Sequence, residues 1–224
     1  MLLHRLRGYK RFVCAGDQKQ LSPYVSRLVD YTPSILTWLQ RVHGKNTYRI
    51  PNTLLRRQYR MMPSIGTVVS RLFYDSKLQH HKNKDGKKHL FFHCMDGKME
   101  IHTTARWWVD DTNRCARKFN RYKTNSPHFK CHVLTYYEAQ CRHVKHLYPH
   151  IPLCCVDSYQ GQEVDVIILL LSLRKCKLSK FILNRGRQCV ATIRAKLDLN
   201  IVGHRPTILN KTWEDILKSS KKIY

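Results

Sequence analysis

The sequence predicts an α/β fold, with a mostly parallel, twisted sheet flanked by helices. Short apolar runs typical of strands alternate along the chain with segments of helical periodicity, which is the pattern of repeated βαβ units. The run VDVIILLLS at 164–172 is apolar almost throughout, as in a central strand covered on both faces. The segment 63–78 has apolar residues three and four positions apart, which is typical of an amphipathic helix.

The predicted elements follow one another in βα order, without an internal repeat or a low-complexity segment. Strands are predicted at 11–16, 89–95, 131–136, 151–156, 164–172 and 197–203. Helices are predicted at 63–78, 137–148 and 213–220. We expect the basic segment 79–88 to be an exposed loop, and 110–128 to be irregular because it is polar and poorly periodic.

The first predicted strand ends abruptly. In RFVCAGDQKQLSP (11–23), the apolar run Phe12–Ala15 stops at Gly16 and Asp17. A buried parallel strand that presents polar side chains at its carboxyl end has this pattern, and ligands of open α/β sheets bind there. An ordinary strand followed by a β-turn has the same pattern. Partners for Asp17 and Gln20 elsewhere in the chain would favour the first interpretation.

The charge of the chain predicts a polyanionic partner. Lys and Arg total 41 against 15 acidic residues, which gives a net charge of +26. Basic surfaces gain affinity for nucleic acid by displacing counterions from its phosphates. A solvated surface kept soluble by charge is the alternative, but solubility requires a smaller net charge than this.

Cysteine and histidine spacing favours free thiols over a zinc site. The nine cysteines are scattered, which indicates a reducing intracellular compartment, either cytoplasm or nucleus. The groups HFKCH (128–132) and CRH (141–143) lack the paired ligand spacing of structural zinc sites, so no zinc is expected. The N-terminus lacks the apolar centre of a signal peptide, and the longest apolar run, 166–171, is too short to span a bilayer. We therefore expect no membrane partner.

Further polar segments lie at the ends of predicted strands or the starts of helices. They are LLRRQYRMMPSI (54–65), HVLTYYEAQ (132–140), CCVDSYQGQEVDVIILLLS (154–172) and GRQCVATIRAKLDLNIVGH (186–204). Together with GDQKQLSP, they resemble motifs III to VI of superfamily 1 helicases, in order and with similar spacing, from about residue 12 to 204. The segments RLFYDSKL and LTYYEAQ resemble the Upf-like group, the regulator of nonsense transcripts type.

This resemblance implies a RecA-like P-loop NTPase motor fold. The implied function is that of an ATP-dependent RNA or DNA helicase, which couples hydrolysis to single-strand translocation and unwinding. Residues 1–45 would be a remnant of a first RecA-like domain, with the motif III strand and a connection. Residues 46–210 would form the second RecA-like domain, and 211–224 a basic tail.

The resemblance also implies roles for individual residues. Gln20 matches the γ-phosphate sensor, while Arg60 and Arg194 match arginines that reach the phosphates, with Arg194 as the finger. Arg suits this role because its guanidinium is permanently charged and binds oxyanions bidentately. Tyr59 would lie against the nucleotide, and Glu163 would accept a ribose hydroxyl. The implied nucleotide-binding residues are Asp17, Gln20, Tyr59, Arg60, Gly161, Glu163 and Arg194.

The implied partners are single-stranded RNA or DNA and a first RecA-like domain, supplied in cis or in trans. Thr135, Tyr137 and Ser158 match positions that contact the nucleic-acid backbone, where contacts position a strand without reading its sequence. The implied cofactor is ATP with Mg²⁺, whose ligands are expected mainly on the first domain. The chain contains no Gly-x-x-x-x-Gly-Lys-Ser/Thr loop and no Asp-Glu pair after an apolar strand, so we expect it to be inactive alone.

Several positions depart from the family pattern. Cys189, Thr192 and Ile193 stand where the family has Asn, Leu and Thr, and Thr-Tyr-Tyr at 135–137 replaces Thr-Pro-Tyr. These departures leave a second interpretation open, that of a non-catalytic protein derived from a helicase, with a nucleic-acid-binding or regulatory role. A third interpretation, a zinc-dependent binding module, requires stoichiometric metal.

Overall fold

The chain folds around a six-stranded sheet in which all neighbouring strands are parallel. The structure is a computed structural model that describes residues 8, 11–22, 34–44, 51–81, 85–94, 99–102, 105–171, 180–203 and 211–223. The strands in these ranges are β1 (Arg57–Gln58), β2 (Gln79–His80), β3 (Leu90–Cys94), β4 (Met99–His102), β5 (Ala105–Trp108), β6 (Cys131–Thr135), β7 (Leu153–Cys155), β8 (Val164–Leu171), β9 (Ala195–Gly203) and β10 (Lys221–Ile223). The helices are α1 (Ile35–Gly44), α2 (Pro63–Phe73), α3 (Val109–Asn125), α4 (Glu138–Leu147), α5 (Lys180–Leu183), α6 (Arg185–Thr192) and α7 (Lys211–Ser219), with a 3₁₀ turn at Asp157–Tyr159.

The strand order is β10-β3-β9-β8-β6-β7, which places β8 and β9 at the centre. Along β8, fully buried residues alternate between two apolar clusters, because successive strand residues point to opposite faces. Ile167 and Leu169 belong to one cluster, and Ile168 and Leu170 to the other. The prediction of a central strand covered on both faces is therefore confirmed.

Helices cover both faces of the sheet. On one face, α2, α6 and α7 contribute Phe73, Val190 and Trp213 to the larger cluster. On the other face, α3 and α4 contribute Phe119 and Val144 to the second cluster. This layering confirms the predicted α/β class and places the carboxyl ends of the strands along one edge of the sheet.

The predicted strands from 89–95 onward and the three predicted helices are confirmed, with small shifts at their ends. The helix predicted at 63–78 ends at Phe73, where the chain enters left-handed backbone at Asp75 and Ser76. Outside the central sheet, β1 pairs with β2 and β4 pairs with β5.

The prediction of a strand at 11–16 is wrong. Phe12 and Val13 are 54% and 89% exposed, and in the described part of the chain no strand pairs with this segment. The turn that follows is present, because the Gln20 amide donates to the Asp17 carbonyl oxygen at 3.3 Å. An apolar run without a neighbouring strand to pair with does not form a strand.

The irregular segment predicted at 110–128 is also corrected, because most of it lies in helix α3. Its apolar residues form one narrow stripe, with Cys115 and Phe119 buried and Tyr122 half-buried beside them. Basic and polar residues occupy the rest of the helix and dilute the periodic signal. The stripe packs against β6 and β8.

The segment 211–224, expected as a basic tail outside the domain, contributes α7 and β10 to the same fold. Trp213 and Ile216 are each 1% exposed, and β10 pairs with β3 at one edge of the sheet. Among the described helices, none is long and apolar enough to cross a bilayer.

Candidate functional site

The segment 17–22 lies against the start of helix α6. The Lys19 amide donates to Asp17 Oδ1 at 2.9 Å, which fixes the turn locally. On the α6 side, a Cβ atom at Gly186 would lie only 2.6 Å from the Gln20 carbonyl oxygen. The close approach therefore requires glycine at 186.

Gln20 connects Asp17 to Arg194, although Arg194 is 174 positions away in the sequence. The Gln20 Nε2 donates to Asp17 Oδ2 at 2.8 Å, and its Oε1 accepts a hydrogen bond from Arg194. Arg194 also donates to the Gln162 carbonyl oxygen at 3.1 Å. Asp17 and Gln20 thus both have partners, which favours a site over an isolated turn.

Arg194 is a buried cation, with 1% of its surface exposed, at the junction of α6 and β9. Burial, and next the positive charge of Arg60, lower the pKa of Arg194, but a guanidinium remains charged at physiological pH. Its Nε has no hydrogen-bond partner among the described residues. Buried donors are normally paired, so this N–H group is an exception that an acceptor from a ligand would resolve.

Arg60, Glu163 and Lys196 form an ion-pair cluster beside Arg194. The Arg60 Nε donates to Glu163 Oε2 at 2.5 Å, and Lys196 Nζ lies 3.1 Å from Glu163 Oε1. Arg60 also donates to the Ile193 carbonyl oxygen at 3.3 Å. Burial alone would raise the pKa of Glu163, but hydrogen bonds from Lys196 and Arg60 lower it overall.

Tyr59 and Gly161 are neighbours of Arg60 and Glu163 in the sequence, and both lie at the surface. The Tyr59 side chain is exposed, and its ring centroid lies 4.7 Å from that of His81. Gly161 adopts a φ of +88°, a conformation that favours glycine, in the connection between the 3₁₀ turn and β8. No described contact joins either residue directly to Gln20 or Arg194.

An open cleft of about 700 Å³ lies between the segment 17–22 and the start of α6. Gln20 lines one side, and Asp157 and Gln160 line another, with Arg185 and Arg187 at the α6 end. Of the predicted nucleotide residues only Gln20 lines the cleft, which separates it from the loop that carries Ser158.

The predicted nucleic-acid residues have different environments. Ser158 is exposed, and the Tyr137 ring is half-buried and stacked on Phe181 with centroids 5.7 Å apart. Thr135 is fully buried and its hydroxyl donates to the Tyr137 carbonyl oxygen at 3.1 Å. The structure thus leaves the Thr135 hydroxyl away from the surface, where it orders the loop after β6.

Sequence reasoning missed two residues at the site. Arg187 makes a bidentate ion pair with Asp157, at 2.8 and 2.9 Å, and its guanidinium lies 3.8 Å from the Phe181 ring centroid. Tyr74 donates from its hydroxyl to Asp17 Oδ2, and burial raises its pKa. Tyr74 lies in RLFYDSKL and Arg187 lies seven positions before Arg194, but the sequence does not show with which residue either one pairs.

The candidate zinc ligands at 128–132 do not converge in the structure. Cys131 is buried in β6, His132 bonds to the Tyr159 hydroxyl, and His128 is exposed. Cys141 does lie in a potential ligand cluster, but with Glu138 and Cys155.

Comparison with known proteins identifies related sequences and related solved structures. An AAA domain family profile matches residues 34–206. Over its whole length the chain is 26% identical to the regulator of nonsense transcripts 1 of Caenorhabditis elegans, covering 24% of that protein. It is 24% identical to helicase sen1 of Schizosaccharomyces pombe, over 90% of this chain and 13% of that protein. An uncharacterized ATP-dependent helicase of Methanocaldococcus jannaschii is 25% identical, over 96% of this chain and 35% of its own length.

The fold also resembles a solved domain. The C-terminal domain of a possible DNA helicase from Lactobacillus plantarum superposes with a TM-score of 0.53 at 9% identity, covering 74% of this chain and 98% of that domain. The chain therefore has the predicted RecA-like fold, and it spans about a third or less of the length of the relatives named above.

Proposed function

The chain belongs to the AAA domain family, as a Upf-like superfamily 1 helicase region, and from this premise we propose that it supplies the second RecA-like domain of an ATP-dependent nucleic-acid motor. In this proposal, residues 46–210 are the centre of that domain, while α7 packs on one face of its sheet and β10 forms an edge strand. Residues 1–45 would belong to the junction with a first RecA-like domain, acting in cis or in trans.

The contact between Gln20 and Arg194 carries the proposal. A γ-phosphate sensor and an arginine finger must reach the same phosphate, and these side chains touch each other. Arg194 is held by Gln20 and by the Gln162 carbonyl, while its Nε is left for an acceptor that the described residues do not supply. Such a preorganised donor stabilises negative charge that develops during phosphoryl transfer.

The cluster around Glu163 supports nucleotide binding at the same place. Arg60 would turn from Glu163 to a phosphate oxygen, and Glu163 would then accept a ribose hydroxyl, since Lys196 still neutralises it. The exposed ring of Tyr59 would stack on the base. ATP would bind with Mg²⁺, whose ligands we assign mainly to the first RecA-like domain.

The loop beside the cleft would contact single-stranded nucleic acid. Ser158 is exposed there, and Tyr137, Phe181 and Arg187 form a contiguous stack beside it. Thr135 would act through the backbone of Tyr137. Such contacts hold a backbone without reading bases, as translocation requires. We place the protein in the cytoplasm or nucleus, where its thiols stay reduced.

A second candidate function is favoured by one observation. Both site arginines are already paired with protein groups, Arg60 with Glu163 and Arg194 with Gln20. If ATP does not displace these partners, the chain is a non-catalytic nucleic-acid-binding or regulatory protein derived from a helicase. The two functions differ in one measurable property, which is nucleic-acid-stimulated ATP hydrolysis.

The test joins the chain to the phosphate-loop half of a related helicase. We expect hydrolysis that single-stranded RNA or DNA stimulates, and loss of roughly a thousandfold in turnover with Arg194→Lys, which keeps the charge but not the guanidinium fork. Lys77→Ala is the matched control, because among the described residues Lys77 makes its ion pair with the nearby exposed Asp75, at 3.5 Å. Absence of stimulated hydrolysis in a folded, nucleic-acid-binding assembly would favour the regulatory function instead.

A further inference from the structure

We propose that Glu138, Cys141 and Cys155 bind a zinc ion at the carboxyl edge of the sheet, apart from the nucleotide residues. The Glu138 carboxylate and the two thiol sulfurs all lie within 4.8 Å of one another. A zinc ion bound at about 2.3 Å from sulfur and about 2.0 Å from oxygen has its ligand atoms at such separations. The inference does not depend on ATP hydrolysis by the chain.

Two elements of the fold bring these ligands together. Glu138 begins helix α4 and Cys141 follows three positions later, so the two side chains share one face of the first turn. Cys155 ends β7, opposite Thr135 in the parallel register with β6. Helix α4 follows β6 in the chain and packs against β7, which brings Glu138 to Cys155.

The contacts within the cluster show that the ligand atoms face one another. The Cys155 thiol donates to Glu138 Oε2 at 3.3 Å. A bound cation would replace the proton between sulfur and carboxylate.

The ligand set selects the metal. Two thiolates exclude Mg²⁺ and Ca²⁺, which prefer oxygen ligands, and the carboxylate disfavours Cu(I), which prefers sulfur alone. Zn²⁺ accepts both kinds of ligand and is commonly four-coordinate. Three protein ligands leave the fourth position to water, and Glu138 is exposed, so the cluster is accessible from solvent.

Sequence spacing did not reveal this site. Cys141 was considered with His143, two positions away, whereas the fold supplies Cys155 from the next strand. Zinc here would tie the first turn of α4 to the end of β7. It would therefore fix the backbone next to Tyr137 and the loop of Ser158.

The test uses the purified 224-residue chain with a phosphine reductant, titrated with Zn²⁺ against a chromophoric chelator. We expect one zinc per chain, and a thiolate-to-metal charge-transfer band when Co²⁺ replaces zinc. Cys141→Ser and Cys155→Ser should each weaken binding by more than the roughly 10- to 100-fold typical of losing an outer-shell partner. Cys154→Ser is the matched control, because the neighbouring thiol lies outside the cluster and should leave the affinity unchanged.

Glu138→Gln keeps the test interpretable if a cysteine variant fails to fold. Glu138 is exposed, so its substitution leaves the fold intact, and we expect zinc affinity to fall at least about tenfold because a charged ligand is lost. Zinc binding by the reduced chain no tighter than by the Cys141→Ser, Cys155→Ser double variant would overturn the proposal. The proposal would also be overturned if neither Glu138→Gln nor Cys155→Ser lowered the zinc affinity.

Discussion

Arg194 is the residue on which the candidate site depends most, and its burial explains why a substitution there would be costly. A charge that is 1% exposed is stable only with partners, which here are Gln20 and the Gln162 carbonyl. Removing Arg194 outright would combine a functional loss with a packing loss, whereas removing Gln20 leaves Arg194 its hydrogen bond to the Gln162 carbonyl oxygen. Substitutions at Gln20 therefore separate catalysis from folding more cleanly.

His93 provides a residue-scale prediction about pH. Burial, above all, lowers the pKa of His93 to about 4, although its hydrogen bond to Asn200 opposes this and the cations Lys118 and Arg114 add to it. An unfolded histidine titrates near 6.5, so between 6.5 and about 4 the unfolded chain binds more protons. His93 thus reduces stability as the pH falls through this range, by roughly 3 kcal/mol in total.

Urea unfolding at several pH values measures this effect. His93→Gln should flatten the fall in the free energy of unfolding by up to about 1.4 kcal/mol per pH unit between about pH 6 and pH 5. His128→Gln, at an exposed histidine, is the control and should follow the wild-type curve. Parallel curves for wild type and His93→Gln would show that His93 is not held neutral.

At the scale of elements, the packing of segment 17–22 against α6 gives a second prediction. The helix preference of alanine over glycine is about 1 kcal/mol in a helix interior, which offsets only part of the cost of the clash in Gly186→Ala. The added Cβ would lie 2.6 Å from the Gln20 carbonyl oxygen and displace the segment. We expect faster trypsin cleavage after Lys19 in this variant.

Gly161→Ala is the matched control for that experiment. It strains a residue with a φ of +88°, but nothing lies within 4 Å of its added Cβ. Cleavage after Lys19 should then stay at the wild-type rate. If Gly186→Ala leaves the rate unchanged too, the segment 17–22 is not held by α6.

Elements differed in how well the sequence predicted them, for physical reasons. Strand β8 was predictable because burial on both faces makes every position apolar. Helix α3 was not, because its burial rests on the stripe of Cys115, Phe119 and Tyr122 in an otherwise basic segment. The run Phe12–Ala15 had strand composition without a strand to pair with, and composition does not reveal the neighbour.

Site residues were predictable only as far as motifs extend. The helicase-like motifs identified Gln20, Arg60, Glu163 and Arg194 as candidates, and the structure brings them into two adjoining clusters. Pairings outside the motifs could not be predicted, since Arg187 with Asp157 depends on the angle between α6 and the 3₁₀ turn. The metal cluster was hidden for the same reason, because its ligands meet only through the β6–α4–β7 connection.

For the whole molecule, the net charge of +26 gives a prediction about the proposed binding of nucleic acid. Contacts to phosphates release counterions, so affinity for a single strand should fall by roughly two to four powers of ten between about 50 and 200 mM salt. Oligonucleotides of equal length and different sequence should bind within a few-fold of one another. Fluorescence anisotropy at several salt concentrations measures both. Affinity that hardly changes with salt, or that depends strongly on sequence, would indicate base recognition instead.

The most direct test of the central claim, that Gln20 and Arg194 act on the same phosphate, is a double-mutant cycle. It is measured as nucleic-acid-stimulated ATP hydrolysis in the chain joined to a phosphate-loop half. Gln20→Ala should reduce turnover by roughly ten- to a thousandfold with a nearly unchanged melting temperature, and Arg194→Ala at least as much per folded molecule. The double variant should lose less than the product of the two single losses, because each variant already disables the same interaction. Losses that multiply, or a Gln20→Ala variant that unfolds while sparing turnover per folded molecule, would contradict the account.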